Sequence, residues 1–367
     1  MSAAARALIA GFALAGAAPL AARADTERVL NLYAWAEYFP DSVVRRFERE
    51  TGIHVNYTVF DSNDVVETTL SAGRSGFDLV TPNASPHLGR EIPKHLWQKL
   101  DKARLGGLGN LDPTIMRMLA QVDPGNAYAV PWMWGTTGVI YNPDKIRAAL
   151  PTAPTGSLAM VFDPSVVAHF KACGVTILDA WVDILPLLAR AIDEPRLAAD
   201  PPALGRLAAA YAAIRPALRR VTTSGYYEQL ARGETCLAIG YSGDAMIARR
   251  IAAEAGADVR IEYSPGDRAV SVWIDSLAIP ADAPHPDAAH RFIGFALRPE
   301  IAAETAGYIG FATANLAAVA LLNPAMRDNP AIYPPDTVRA RFTMERVYTL
   351  AETRAFARAW LRMKTGH

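Results

Sequence analysis

Cysteine is scarce in this chain, with two among 367 residues. Neither Cys173, in "KACGVTIL", nor Cys236, in "GETCLAIGY", has the Cys/His company of a zinc site. An excess of charge of one sign is missing as well. Lys plus Arg and Asp plus Glu each number 37, for a formal net charge of +0, so no global field draws nucleic acid or an anionic membrane. A charged ligand must therefore be met by a local cluster. G-x-x-x-x-G-K-[ST], G-x-G-x-x-G, G-x-S-x-G and H-E-x-x-H are all absent, which removes the simplest enzyme readings. The seven histidines scatter over predicted helices, termini and loops and give histidine-assisted nucleophilic catalysis no seed.

What is present begins with size and an ordinary interior. A chain of 367 residues is longer than one core usually serves, which predicts two lobes. Apolar content of 51% and charged content of 20% are those of a soluble globule. The N-terminus carries Arg6, an apolar stretch from Ala7 to Leu20, and Ala22-Arg23-Ala24 ahead of Asp25. That is the layout of a cleaved secretory signal over 1–24, and its apolar part is shorter than the ~20 residues a membrane span needs. After export, an even cysteine count makes one Cys173–Cys236 disulfide the better reading.

Downstream the pattern is α/β. "VLNLYAW" reads as a strand, and "DSVVRRFERETG" as a helix opened by Asp41 or Ser42 and closed at Gly52. "IHVNYTVF", "DSNDVVETTLSAG" and "FDLVTPN" continue the alternation, which predicts a parallel sheet with helices on both faces. "AYAVPWMWGTTGVIYNPDKI", interrupted by Gly135 and Gly138, reads as a crossover between lobes. A second α/β unit follows, then the strand pair "VRIEYSP" and "AVSVWIDSLAIP", and a last amphipathic helix, "AETRAFARAWLRMK".

An acid beside an aromatic recurs where strands give out. Trp35 and Tyr38 flank Glu37, Trp181 precedes Asp183, Tyr241 precedes Asp244, and Trp273 precedes Asp275. In open α/β sheets ligands collect at such strand ends. Aromatic faces attract cations and cover methylene groups, and carboxylates accept charge-assisted hydrogen bonds from ammonium groups. Acids at both ends of a slot suit a diamine or polyamine. Each pair also has a plainer role open to it: Glu37 favouring a helix N-terminus, Asp244 capping one.

Taken in order, "LNLYAWAEYFP", "FERETGIHVNYTVFDSND", "SGFDLVTPNAS", "YAVPWMWGTTGVIYNPDKI", "KACGVTILDA", "GETCLAIGYSGDA", "SLAIPADA" and "NPAIYPPDTVRARF" resemble the periplasmic putrescine- and spermidine-binding proteins of ABC-type polyamine uptake, closest to the putrescine-binding branch. The resemblance implies a type II periplasmic-binding fold, α/β, with two lobes, hinge crossover strands and a ligand cleft between them. The expected division is 25–135 plus 257–310 for one lobe and 136–256 plus 311–367 for the other. It implies ligand-binding roles for Trp35, Glu37, Tyr38, Ser85, Asp183, Ser224, Tyr241, Asp244, Trp273, Asp275 and Phe311, and it strengthens the Cys173–Cys236 pairing. No catalysis, cofactor, metal or nucleic acid is implied. The expected partners are a polyamine and a membrane permease, and the expected state is a periplasmic monomer.

Departures from the resemblance bear on ligand choice. Ala36-Glu37 stands where Ser-Asp is usual, Tyr241 where Trp is usual, and Phe311 where Tyr is usual. The smaller Tyr241 leaves room for a longer or bulkier amine than putrescine. Two other readings stay open: a ferric-iron binder using Tyr226-Tyr227 as phenolate ligands, and a glycosidase pairing Glu37 or Asp183 with Asp244.

Overall fold

The computed structural model describes residues 28–36, 38–194 and 197–366. The signal segment expected over 1–24 and the Glu37 position lie outside the described residues. Strand β1 (Val29–Trp35) runs parallel to β2 (His54–Phe60) along its whole length. Helix α1 (Asp41–Thr51) joins them. Gly52 closes α1 at φ 70, and the N-cap is Pro40 rather than Asp41 or Ser42, because Asp41 has already entered the first turn. Helix α2 (Asn63–Ser71) is capped by the Ser62 side chain. The third strand is shorter than "FDLVTPN" suggests. Only Leu79–Val80 pair, as β3, and the chain then turns through Asn83.

The sheet is mixed, not parallel. Strand order is β2-β1-β3-β9-β4-β7-β5-β6, where β4 is Ala129–Tyr141, β5 Val175–Ile177, β6 Arg220–Val221, β7 Leu237–Tyr241 and β9 Val270–Ala278. β4 is antiparallel to both β9 and β7. "VRIEYSP" contributes β8 (Glu262–Ser264), which pairs with β4 and not with β9 as adjacency suggested. β10 (Ala312–Thr313) also joins β4, and β11 (Phe342–Thr343) joins β9.

β4 is buried throughout its 13 residues and serves two separate cores. Its first half, through Trp134, packs in a cluster with β1, β2 and β9. Its second half, from Val139, packs in a cluster with β5 and β7. The chain is thus two-lobed, with β4 crossing between the lobes. Ala312, Ala314, Ala318, Leu322, Met326 and Ile332 belong to the first cluster, and Ile261 belongs to the second. The expected boundaries would place them the other way round. The reason is pairing: β10 and β11 add to β4 and β9 on the first lobe, whereas β8 adds to the far half of β4. Only from Tyr348 does the tail join the second core, through α6 (Leu350–Thr365).

Cys173 and Cys236 are disulfide-bonded across a sequence separation of 63. The bond ties the entries of the neighbouring parallel strands β5 and β7. Among the described residues no helix is long and apolar enough to cross a membrane.

Candidate functional site

Register on β4 assembles the site. Met133 faces Asp275 and Gly135 faces Trp273 on β9, while Thr137 faces Tyr241 on β7. Side chains alternate along a strand and cross-strand partners share a face. The i, i+2, i+4 series Met133, Gly135 and Thr137 therefore puts Asp275, Trp273 and Tyr241 on one face of the sheet where the lobes meet. Gly135 is required there: a Cβ at this position would lie 2.3 Å from the Trp273 ring.

The three aromatics form a continuous half-buried row. Tyr241 meets Trp273 edge-on with ring centroids 5.9 Å apart, and Trp273 meets Phe311 edge-on at 5.0 Å. Phe311 rests on Gly243, where a Cβ would be 2.3 Å from the phenyl ring. Trp35, at the end of β1, packs against Phe60 at 4.5 Å. The indole N–H groups of Trp35 and Trp273 are buried and lack a hydrogen-bond partner.

Three acids stand around this row. Asp275 accepts the Tyr38 hydroxyl at 2.8 Å and the Asn83 amide at 3.2 Å. Asp183, in the first turn of α3 (Trp181–Ala191), accepts the hydroxyls of Thr137 and Tyr241, each at 3.0 Å. Asp244, in the first turn of α5 (Ser242–Glu254), accepts the Tyr226 hydroxyl. Burial pushes the carboxyl of Asp275 up to about 6, that of Asp183 up to about 6 and that of Asp244 up to about 7. The hydroxyl and amide donors oppose the rise but do not cancel it. The Trp35 N–H also bears on Asp275 without reaching ordinary hydrogen-bond geometry. No Lys, Arg or His contributes to any of the three among the described residues. Convergence is clearest at Tyr241, whose phenol is held well above its ordinary value by burial and then by Asp183, Asp244 and Asp275 together.

Desolvated carboxylates with neutral donors and no cation are costly unless a cation arrives. The arrangement has the chemistry of an organic-cation site: acids for the charged ends, aromatic faces for the apolar middle.

Of the residues expected from the sequence, Trp35, Tyr38, Asp183, Tyr241, Asp244, Trp273, Asp275 and Phe311 are brought into this one network. Ser85 is buried, and its hydroxyl donates to the Glu345 carbonyl. Ser224 is exposed, and its recorded bonds run to Thr222. Sequence reasoning missed Thr137, Asn83 and Tyr226. Alternation along β4 from Gly135 would have found Thr137. Tyr226 was seen only as half of a metal-binding pair. Its hydroxyl in fact holds Asp244 and accepts the Tyr241 N–H at 3.1 Å, and burial beside Asp244 holds the phenol well above its ordinary value. A phenolate ligand for ferric iron is disfavoured at such a residue.

The family model for bacterial extracellular solute-binding proteins matches residues 42–334. The chain is 38% identical over 359 residues to the putrescine-binding periplasmic protein SpuD of Pseudomonas aeruginosa, covering 96% of each. It is 37% identical over 345 residues to the putrescine-binding periplasmic protein PotF of Escherichia coli, covering 94% of this chain and 93% of that one. Among solved structures, a putative spermidine/putrescine ABC transporter protein from Listeria monocytogenes superposes with a TM-score of 0.80 at 25% identity, over 93% of this chain and 100% of the other.

Proposed function

Because the chain belongs to the bacterial extracellular solute-binding proteins, we propose that it captures a small polyamine outside the cytoplasm and hands it to an ABC-type membrane permease. The observation that carries this reading is the trio of Asp244 and Asp275, both buried, and half-buried Asp183, set around a row of aromatics with no cation of the protein's own among the described residues. Relatives named as putrescine-binding periplasmic proteins, aligned over nearly the full chain, support it.

In this reading Asp275 belongs to the first lobe with Tyr38 and Asn83, while Asp183 and Asp244 belong to the second. An ammonium engaged by acids of both lobes draws them together, and the polymethylene middle lies along Tyr241, Trp273 and Phe311. The lobes divide near 135–138, 264–269 and 344–347, where the chain passes from one core to the other. Ser224 completes the slot's rim, and Glu37 keeps the ligand-binding role that the resemblance implies for it. The protein acts as an exported monomer, and its chemistry is capture without turnover.

Titration calorimetry of ligand-stripped protein against putrescine, cadaverine, spermidine, spermine and agmatine tests the reading. One-to-one binding of at least one amine is expected. Asp275→Asn should weaken that binding by roughly a hundredfold, because one ammonium then loses a buried charged partner at a cost of a few kcal/mol. Silence across the panel, or full affinity in Asp275→Asn, would overturn it.

A further inference from the structure

Tyr226 opens the short helix α4 (Tyr226–Ala231), which packs against α5. Its side chain is fully buried. The ring fills the space over Gly240 on β7, where a Cβ would be 2.5 Å from the phenol oxygen. Two hydrogen bonds meet at that oxygen. The Tyr241 N–H donates to it at 3.1 Å, and a backbone N–H has no other role to play. The phenol's own proton also needs an acceptor in this dry position, and it finds Asp244 Oδ2. Among the described residues no other side chain donates to this carboxylate, so Oδ1 is left without a protein donor.

Resting on the amine reading above, we propose that Tyr226 is a positioning residue for amine capture: by donating to Oδ2 it holds Asp244 in its ionised form and leaves Oδ1 as the oxygen that takes the ammonium.

The groups that face Asp244 act in opposite directions. Burial, and less strongly the charge of Glu228 on α4, push its carboxyl up to about 7, and the Tyr226 hydroxyl opposes them. From β7 comes Tyr241, a neutral phenol that also feels Asp183 and Asp275. β4 and β8 pack on α5 as well but bring no charged group to this carboxylate. Tyr226 is thus the donor that works against desolvation here. A hydrogen bond to a charged group is strong enough that its loss moves a carboxyl by roughly one to two pH units. Asp244 is the last of the three acids to ionise. Without the hydroxyl, the step that completes amine affinity moves up from near pH 7 by that amount.

The test is titration of putrescine, or of whichever of the five amines above the parent binds most tightly, into ligand-stripped parent and Tyr226→Phe proteins. Measurements at pH 6, 7, 8 and 9 share one salt concentration, with circular dichroism to check the fold. The readout is the ratio of parent to variant affinity, in which titration of the amine and of the other two acids cancels. That ratio should be roughly tenfold or more at pH 6 and fall to within about threefold by pH 9. A role in packing alone would give one ratio at every pH. Gly240→Ala approaches the same bond from the other side: the added methyl displaces the phenol from Asp244 and should give the same declining ratio. A ratio that stays constant from pH 6 to pH 9, or full affinity of Tyr226→Phe at pH 6, overturns the proposal. Should Tyr226→Phe fail to fold, the Gly240→Ala ratio decides it. If the parent binds none of the amines, the amine reading falls and takes this proposal with it. If the parent binds and the ratio is flat, this proposal falls alone.

Discussion

Three carboxyl groups that titrate near 6, 6 and 7 give the ligand-free protein an unusual pH response. An unfolded Asp titrates near ~3.9, so from about pH 4 to pH 7 the folded chain holds more protons than the unfolded one. Stability from these groups is full below the unfolded value and is lost as pH rises through 6 to 7. The melting temperature of stripped protein should therefore fall between pH 5 and pH 8. Binding carries the opposite sign, since an ammonium needs the ionised acids: affinity should rise over the same interval, with protons released on binding at pH 6. Calorimetry at pH 5, 6, 7 and 8 in buffers of differing ionisation enthalpy reads both effects. A flat affinity profile would remove the three acids from the site. At this scale the sequence was most legible where acid and aromatic are adjacent, as at Trp273 and Asp275. It was silent on Asn83 and read Tyr226 only as half of a ferric-iron pair, because a hydrogen bond between residues 192 or 18 positions apart leaves no local pattern.

β4 shows what an element adds that residue types do not. As a stretch of sequence it reads as apolar segments broken by glycine, which marks a crossover but no register. As a strand, its alternation orders the site: Asp275 opposite Met133, Trp273 opposite Gly135, Tyr241 opposite Thr137. The glycine is there for the indole. Gly135→Ala would set a methyl 2.3 Å from the Trp273 ring, forcing the ring into the slot at a cost of about 1–3 kcal/mol. Amine affinity should fall by roughly tenfold or more, and the tryptophan emission of the free protein should shift. Unchanged emission and affinity would mean that the ring lies elsewhere. The predicted parallel sheet failed for a related reason. Strand-helix alternation describes β1, β2 and β3, and again β5, β6 and β7, and helices Pro113–Leu119 and Pro143–Ala149 flank β4 as well, yet β4 lies antiparallel to β7 and β9, a direction that alternation alone does not reveal.

Across the whole molecule, binding and cohesion are carried by different parts. The proposed slot draws on both lobes, whereas the Cys173–Cys236 bond lies within the second core, tying the entries of β5 and β7. Tyr241 stands at the opposite end of β7, four residues beyond Leu237, so roughly 13 Å of strand separates it from that entry. The disulfide constrains a long stretch of unfolded chain, and closing a loop of 63 positions stabilises by roughly 4 kcal/mol in the chain-entropy account. Replacing both cysteines with serine should lower the unfolding free energy by about that amount in urea, with amine affinity at neutral pH within about twofold of the parent. The contrast with Asp275→Asn is what makes this informative. One change removes stability and spares binding, while the other removes binding and, by deleting a buried charge that lacks a cation, should leave the empty protein no less stable at pH 8. If the serine variant lost affinity as steeply as Asp275→Asn, the second lobe would be transmitting strain along β7 into the slot, and the lobes could not be treated as rigid bodies closing on a ligand.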